Sequence, residues 1–143
     1  MRKLIYIALI CALTACGDNA NRSINISDSC SIDTPSTNAT VSVGQNFIVG
    51  GWAFDKQSTV APDKFSIQFT STNRQVSKTF DVKNDVKRPD VAKALNAPKA
   101  ESSGFNLVVK ANSLAPGNYE ISILQHFPNA ISICGKSHLV QVK

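Results

Sequence analysis

Lys64-Phe65-Ser66-Ile67-Gln68-Phe69-Thr70 decides the fold class. Apolar and polar residues alternate with a period of two, which marks a strand with one buried face and not a helix. The same period runs on either side of a turn at Pro116-Gly117-Asn118. Phe105, Leu107, Val109 and Ala111 alternate with Asn106, Val108 and Lys110, and Tyr119, Ile121 and Ile123 alternate with Glu120, Ser122 and Leu124. Phe47 to Phe54 (FIVGGWAF) is apolar at odd and even positions alike, so it is expected to be buried on both faces. Val76, Phe80 and Val82 share a face with Lys78, which predicts an edge strand near Gln75 to Val82 where a charge blunts sheet-to-sheet pairing. Ile131 to Cys134 and His138 to Val142 close the chain.

Turn signals at Val43-Gly44-Gln45, Ser71-Thr72-Asn73 and Pro128-Asn129 separate further runs. One segment reads as helix, Pro89 to Asn96. Pro89 suits the first helical position, Asp90 suits the positive N-terminus, and Pro98 stops the run. Short strands at this spacing predict an all-β fold, an antiparallel β-sandwich of about seven strands with one short helix, over residues 39–143.

Upstream the composition changes twice. Arg2 and Lys3 precede an apolar run from Leu4 to Leu13, and small residues follow. This is a signal peptide over residues 1–15, too short to span a membrane. The tetrad Leu13-Thr14-Ala15-Cys16 resembles the lipobox of bacterial lipoproteins. The resemblance implies that Cys16 is acylated and becomes the mature N-terminus. Several acyl chains make such an anchor effectively permanent. Gly17, not Asp, follows the cysteine, which favours the outer over the inner membrane. Residues 16–38, rich in Asn, Ser and Asp, read as a lipidated, flexible polar tether.

Cys11 falls in the leader and Cys16 carries lipid, which leaves Cys30 and Cys134. Two cysteines in an oxidising envelope read as one disulfide. Closing so long a loop would remove about 4–5 kcal/mol of unfolded-state entropy. Without Arg2 and Lys3 the chain has 13 Lys and Arg against 10 Asp and Glu, a charge of +3. That is too mild for a nucleic-acid partner. His126 and His138 have no Cys or carboxylate at ligand spacing, so neither a metal nor a cofactor is expected. No G-x-S-x-G or S-x-x-K is present, and Glu101 and Glu120 do not pair in sequence as acid and base. The chain is therefore read as non-enzymatic.

Four ordered motifs resemble a small Ig-like bacterial module. They are Gly51-Trp52-Ala53-Phe54-Asp55, Arg88-Pro89-Asp90-Val91-Ala92, Ser103-Gly104-Phe105, and Leu114 with Gly117-Asn118-Tyr119. Such modules occur in surface proteins and are appended to extracytoplasmic enzymes, so the resemblance implies a sandwich and an accessory role. Trp52, Asp55, Arg88, Asp90 and Phe105 are its structural motif residues. Trp52 is expected in the core between the sheets, with a sugar-stacking platform as the alternative. Arg88 is expected to brace the fold on backbone carbonyls or a carboxylate such as Asp55, with Asp90 capping the helix. Lys83, Lys87, Arg88, Lys93 and Lys99 form a basic stretch relieved by Asp81, Asp85 and Asp90; it reads as a solvated face, with anionic lipid headgroups as the alternative.

Taken together, these features predict a lipid-anchored, non-catalytic module of the cell envelope that docks on another envelope protein, with strand pairing at Gln75 to Val82 as one mode. Binding of a surface glycan or lipopolysaccharide is the second expectation, and an enzyme whose site forms only in the fold is the third.

Overall fold

The computed structural model describes residues 22–58, 62–110 and 112–143. The leader expected over residues 1–15 and the expected acylation site Cys16 lie outside the described residues. The chain forms β1 (Ser23–Ser27), β2 (Cys30–Thr34), β3 (Ala39–Val41), β4 (Phe47–Ala53), β5 (Lys64–Ser71) and β6 (Ser77–Val82). Helix α1 (Pro89–Ala94) and a 3-10 turn (Pro98–Ser102) follow, then β7 (Gly104–Val109), β8 (Gly117–Phe127), β9 (Ala130–Cys134) and β10 (Leu139–Val142).

The fold is all-β, in two sheets. The smaller has the order β2–β4–β7. In the larger, β6 pairs with β5 and β5 with the long strand β8. The far edge of β8 is shared by two strands in line. Leu124 to Phe127 pair with β9, and Gly117 to Glu120 pair with β10. Beyond these lie β1 on β9 and β3 on β10, both parallel.

The period-two segments place their apolar residues between the sheets. Phe65, Ile67 and Phe69 of β5 and Tyr119, Ile121 and Ile123 of β8 are buried against Val49, Phe105 and Val109 of the smaller sheet. Phe69 is the aromatic hub, meeting Phe47, Phe80 and Tyr119 edge-on with ring centroids 6.3, 5.7 and 6.4 Å away. The Tyr119 hydroxyl donates to the Ala115 carbonyl at 2.9 Å, so its polar end is satisfied.

Four expectations are corrected. The described residues form ten strands, not about seven, and two of the pairings are parallel. The segment read as tether contributes β1 and β2, so the sheets begin at Ser23 and not at residue 39. Backbone pairing to β9 holds β1, and the Cys30–Cys134 disulfide pins the start of β2 to the end of β9. The chain thus crosses from the larger sheet to the smaller at Ser27–Cys30 and back again at β3. Helix α1 ends at Ala94, and Pro98 starts a 3-10 turn where a stop was expected, because a proline fits the first position of either helix type.

Strand β6 lies at a sheet edge, as its charged inner face predicts. Lys78 turns inward over the Phe80 ring, 5.6 Å from its centroid, and its Nζ donates to the Ser113 carbonyl at 2.7 Å. No helix among the described residues is long and apolar enough to cross a membrane.

Candidate functional site

Strand β4 alternates between two environments. Val49, Gly51 and Ala53 point into the sandwich and are buried. Ile48, Gly50 and Trp52 point the other way, onto the open face of the smaller sheet. Trp52 is therefore half-buried on an outer face and is not the core tryptophan that its apolar surroundings suggested. The inner position belongs to Gly51, where a Cβ would collide with the Ser31 carbonyl and come within 3.2 Å of the Phe105 ring. Phe105 fills the space below and is fully buried, 6.5 Å from the Phe65 ring.

On that open face Ile48 and Val108 are directly opposite each other. They are 50% and 55% exposed, so the pair forms an apolar contact that the described residues leave uncovered. Trp52 is flanked by Ser31 of β2 on one side and Gly104 of β7 on the other. A Cβ on Gly104 would lie 2.7 Å from Arg88 Cγ, so the Arg88 side chain runs across the backbone beside Trp52. The Asn106 amide lies over Gly50, 2.5 Å from where a Cβ would stand.

Arg88 is the polar hub of this face. Its Nε and Nη2 donate to the two oxygens of Asp90 at 2.9 and 2.7 Å, and Nη1 donates to Asp33 Oδ2 at 2.7 Å. The braced carboxylates are thus Asp33 and Asp90, not Asp55. Asp90 is spent on Arg88 and no side chain caps α1. Hydrogen bonds from Arg88 hold the Asp90 carboxyl down to about 2, and the two carboxylates raise the Arg88 guanidinium in turn. With its side chain one-fifth exposed and its partners more open, this is a surface clamp and not a buried ion pair.

The remaining motif residue, Asp55, lies at the end of the sandwich. It is buried, and its Oδ1 accepts from the Gln57 backbone N–H at 2.8 Å. It borders a cavity of about 350 Å³ between the sheet ends, whose walls include Ala53, Phe65, Ser103, Gln125 and Phe127, with Lys99 alongside. The structure therefore brings Trp52, Arg88 and Asp90 together on one face and places Asp55 and Phe105 elsewhere. The basic stretch is divided: Arg88 joins the clamp, Lys87 lies 3.9 Å from Glu101, and Lys99 borders the cavity.

One polar cluster was not legible in the sequence. Ser66 of β5, His126 of β8 and Asp81 of β6 stand side by side on the outer face of the larger sheet. Ser66 Oγ is 3.1 Å from Asp81 Oδ1 and 3.0 Å from His126 Nε2. Only the strand registers, Ser66↔Asp81 and Lys64↔His126, bring them together. The hydroxyl donates to the carboxylate, and the imidazole N–H then donates to the hydroxyl, so His126 is not placed to accept the serine proton. Ser66 also has no exposed surface. Burial, and then the nearby Lys64 charge, lower the His126 pKa, which favours this neutral form. The arrangement works as a cross-strand clasp and lacks the geometry of an activated nucleophile.

His138 is buried, with Nε2 2.8 Å from the Pro35 carbonyl. Among the described residues no three His, Cys, Asp or Glu side chains gather closely enough to hold a metal ion.

Two sheets around one core, open faces on either side and a disulfide across the N-terminal crossing define a small all-β module. Its fold is similar to part of a solved structure, the endo-β-1,4-mannanase from Thermotoga petrophila, with a TM-score of 0.51 and 14% sequence identity. The likeness covers 82% of this chain and 20% of that one, so the chain spans about a fifth of the enzyme's length. At this identity the likeness is one of fold alone. No protein-family model matches the sequence, and no curated protein matches it either.

Proposed function

We propose that this protein is a lipid-anchored, non-catalytic module of the bacterial cell envelope that docks on another envelope protein. The observation that carries the reading is the open face of β2–β4–β7. There the exposed pair Ile48 and Val108 and the half-buried Trp52 share one face, with the Asn106 amide over Gly50 between them and the Arg88–Asp33 pair beside Trp52. Exposed apolar side chains interleaved with polar ones on one open face have the mixed composition of a protein interface. This face replaces the β6 edge as the docking surface, because the inward-turned Lys78 guards that edge. The Leu13–Cys16 tetrad supports the anchor, and Gly17 after it supports the outer membrane.

Glycan binding is the second reading, and one observation favours it. Trp52 lies on an open face beside a fixed guanidinium, where a sugar ring would find both a stacking surface and hydrogen-bond donors.

The two readings separate by crosslinking the lipidated protein in intact cells and identifying its products by mass spectrometry. Docking predicts one protein product, lost in the double variant Ile48→Asp/Val108→Asp and in Cys16→Ala. Glycan binding predicts no protein product, with retention of the purified protein on envelope polysaccharide that is lost in Trp52→Ala. An Ile48→Asp/Val108→Asp variant that captures the same product in the same yield overturns docking through this face.

A further inference from the structure

The outer face of the larger sheet is polar over most of its area but not at the corner where the chain enters. There β1 is an edge strand, paired in parallel to β9 with Ile24 opposite Ile131 and Ile26 opposite Ile133. The next strand, β8, places Leu124 opposite Ile133. All five side chains point outward, since the alternate positions Gln125, Ser132 and Cys134 face the other sheet or the disulfide. Ile24 and Ile26 are 67% and 69% exposed, the most open large apolar residues of the described chain. Cross-strand contact with Ile131 and Ile133 covers only part of the two isoleucines, and about two-thirds of each stays open on the solvent side.

Their place in the chain argues for what covers them. Cys16 precedes Ser23 by seven residues. Even fully extended, seven residues reach about 25 Å, and as coil about 15 Å. Either is less than the ~35 Å width of a domain this size. A lipid on Cys16 therefore keeps this corner within that reach of the bilayer, closer than the far side of the module. Arg22, immediately before β1, supplies a cation at the same place for anionic headgroups. Lys64, on the far side of His126, is already held by Asp81 at 3.0 Å.

We propose that the Ile24–Ile26 face of β1, continued by Ile131, Ile133 and Leu124, lies on the membrane surface and orients the module. The inference rests on the lipid-anchored reading above. The edge strand seats its isoleucines in the headgroup boundary, as an amphipathic helix seats its apolar face. The Ile48–Val108 face, on the opposite side of the sandwich, then points away from the membrane, where a partner can reach it.

The test uses the full-length lipidated protein in vesicles of phosphatidylethanolamine and phosphatidylglycerol whose acyl chains are brominated near the headgroup. Trp52 is the chain's only tryptophan, so Trp52→Phe gives a dark background for Ile24→Trp and, separately, Ile26→Trp. The expected result is a blue-shifted emission that drops by roughly a factor of two or more, as for a ring seated in the outer ~5–10 Å of the bilayer. Ile48→Trp in the same background should be unquenched. An acylated protein whose Ile24→Trp and Ile26→Trp emission is water-like and unquenched overturns the proposal and leaves the anchor standing. A blue shift without quenching also overturns it and assigns the face to a protein partner or a second copy. An intact mass without acyl chains on Cys16 overturns the anchored reading, and this proposal with it.

Discussion

Arg88 shows how much a single residue's surroundings decide. A buried brace would be worth several kcal/mol, because removing one partner strands the other charge. The Arg88 side chain is one-fifth exposed, and Asp33 and Asp90 are 46% and 63% exposed, so water replaces what the clamp provides. Arg88→Ala is therefore expected to cost about 1 kcal/mol in urea unfolding, near the top of the surface-pair range. The acid limb carries a second signature. The Asp90 carboxyl titrates at about 2 in the fold against an ordinary 3.8. Its stabilisation is present above the ordinary value and is lost as pH falls through the folded one. Asp90→Asn should flatten the melting-temperature profile in that window. His126 acts at milder pH. Its folded pKa lies below the ordinary 6.5, so the fold favours the neutral ring and loses stability as pH falls below about 6.5. Melting curves of His126→Gln should lose that slope; a slope that persists unchanged would place its origin elsewhere.

At the scale of elements, the sequence revealed those strands whose two faces differ. Phe65, Ile67 and Phe69 against Ser66 and Gln68 leave no doubt about which side is inside, and β8 is as clear. Strand β4 is apolar on both sides, so periodicity alone did not say whether Gly51 or Trp52 faces the core. The answer lies in residues distant in sequence: the Ser31 carbonyl of β2, and behind it the Phe105 ring, occupy the space that a side chain at position 51 would need. Gly51→Ala should accordingly cost about 1–3 kcal/mol, as overpacked core positions do. Strand β1 escaped notice for another reason. Its residues Ser23, Asn25 and Ser27 read as coil, and only pairing to β9, at the other end of the chain, makes them a strand. The disulfide does much of that work. Replacing both Cys30 and Cys134 with alanine should lower stability by as much as about 4–5 kcal/mol, the entropy of closing a loop of some hundred residues. Hydrogen exchange should then show β1 losing protection before β5 and β8 do.

For the whole molecule, the two outer faces divide the work. The corner at β1 is apolar, and its residues follow closely on Cys16, the proposed site of acylation. The outer face of β2–β4–β7, on the far side, carries the exposed pair Ile48 and Val108 towards one end and the charged Arg88 clamp beside Trp52 at the other. The candidate site was legible in part: the motifs named Trp52, Arg88 and Asp90, but not the face they share, since Asp33 and Gly104 join them only through strand register. The proposed role requires that the Ile48–Val108 face meet a protein partner. A photo-crosslinking residue placed in turn at Ile24, Ile48, Val108 and Asn118 in intact cells tests it most directly. The expected result is one protein adduct, common to Ile48 and Val108, with lipid adducts at Ile24 and none of that protein at Asn118. Protein adducts absent from Ile48 and Val108, or equal at all four positions, would contradict it.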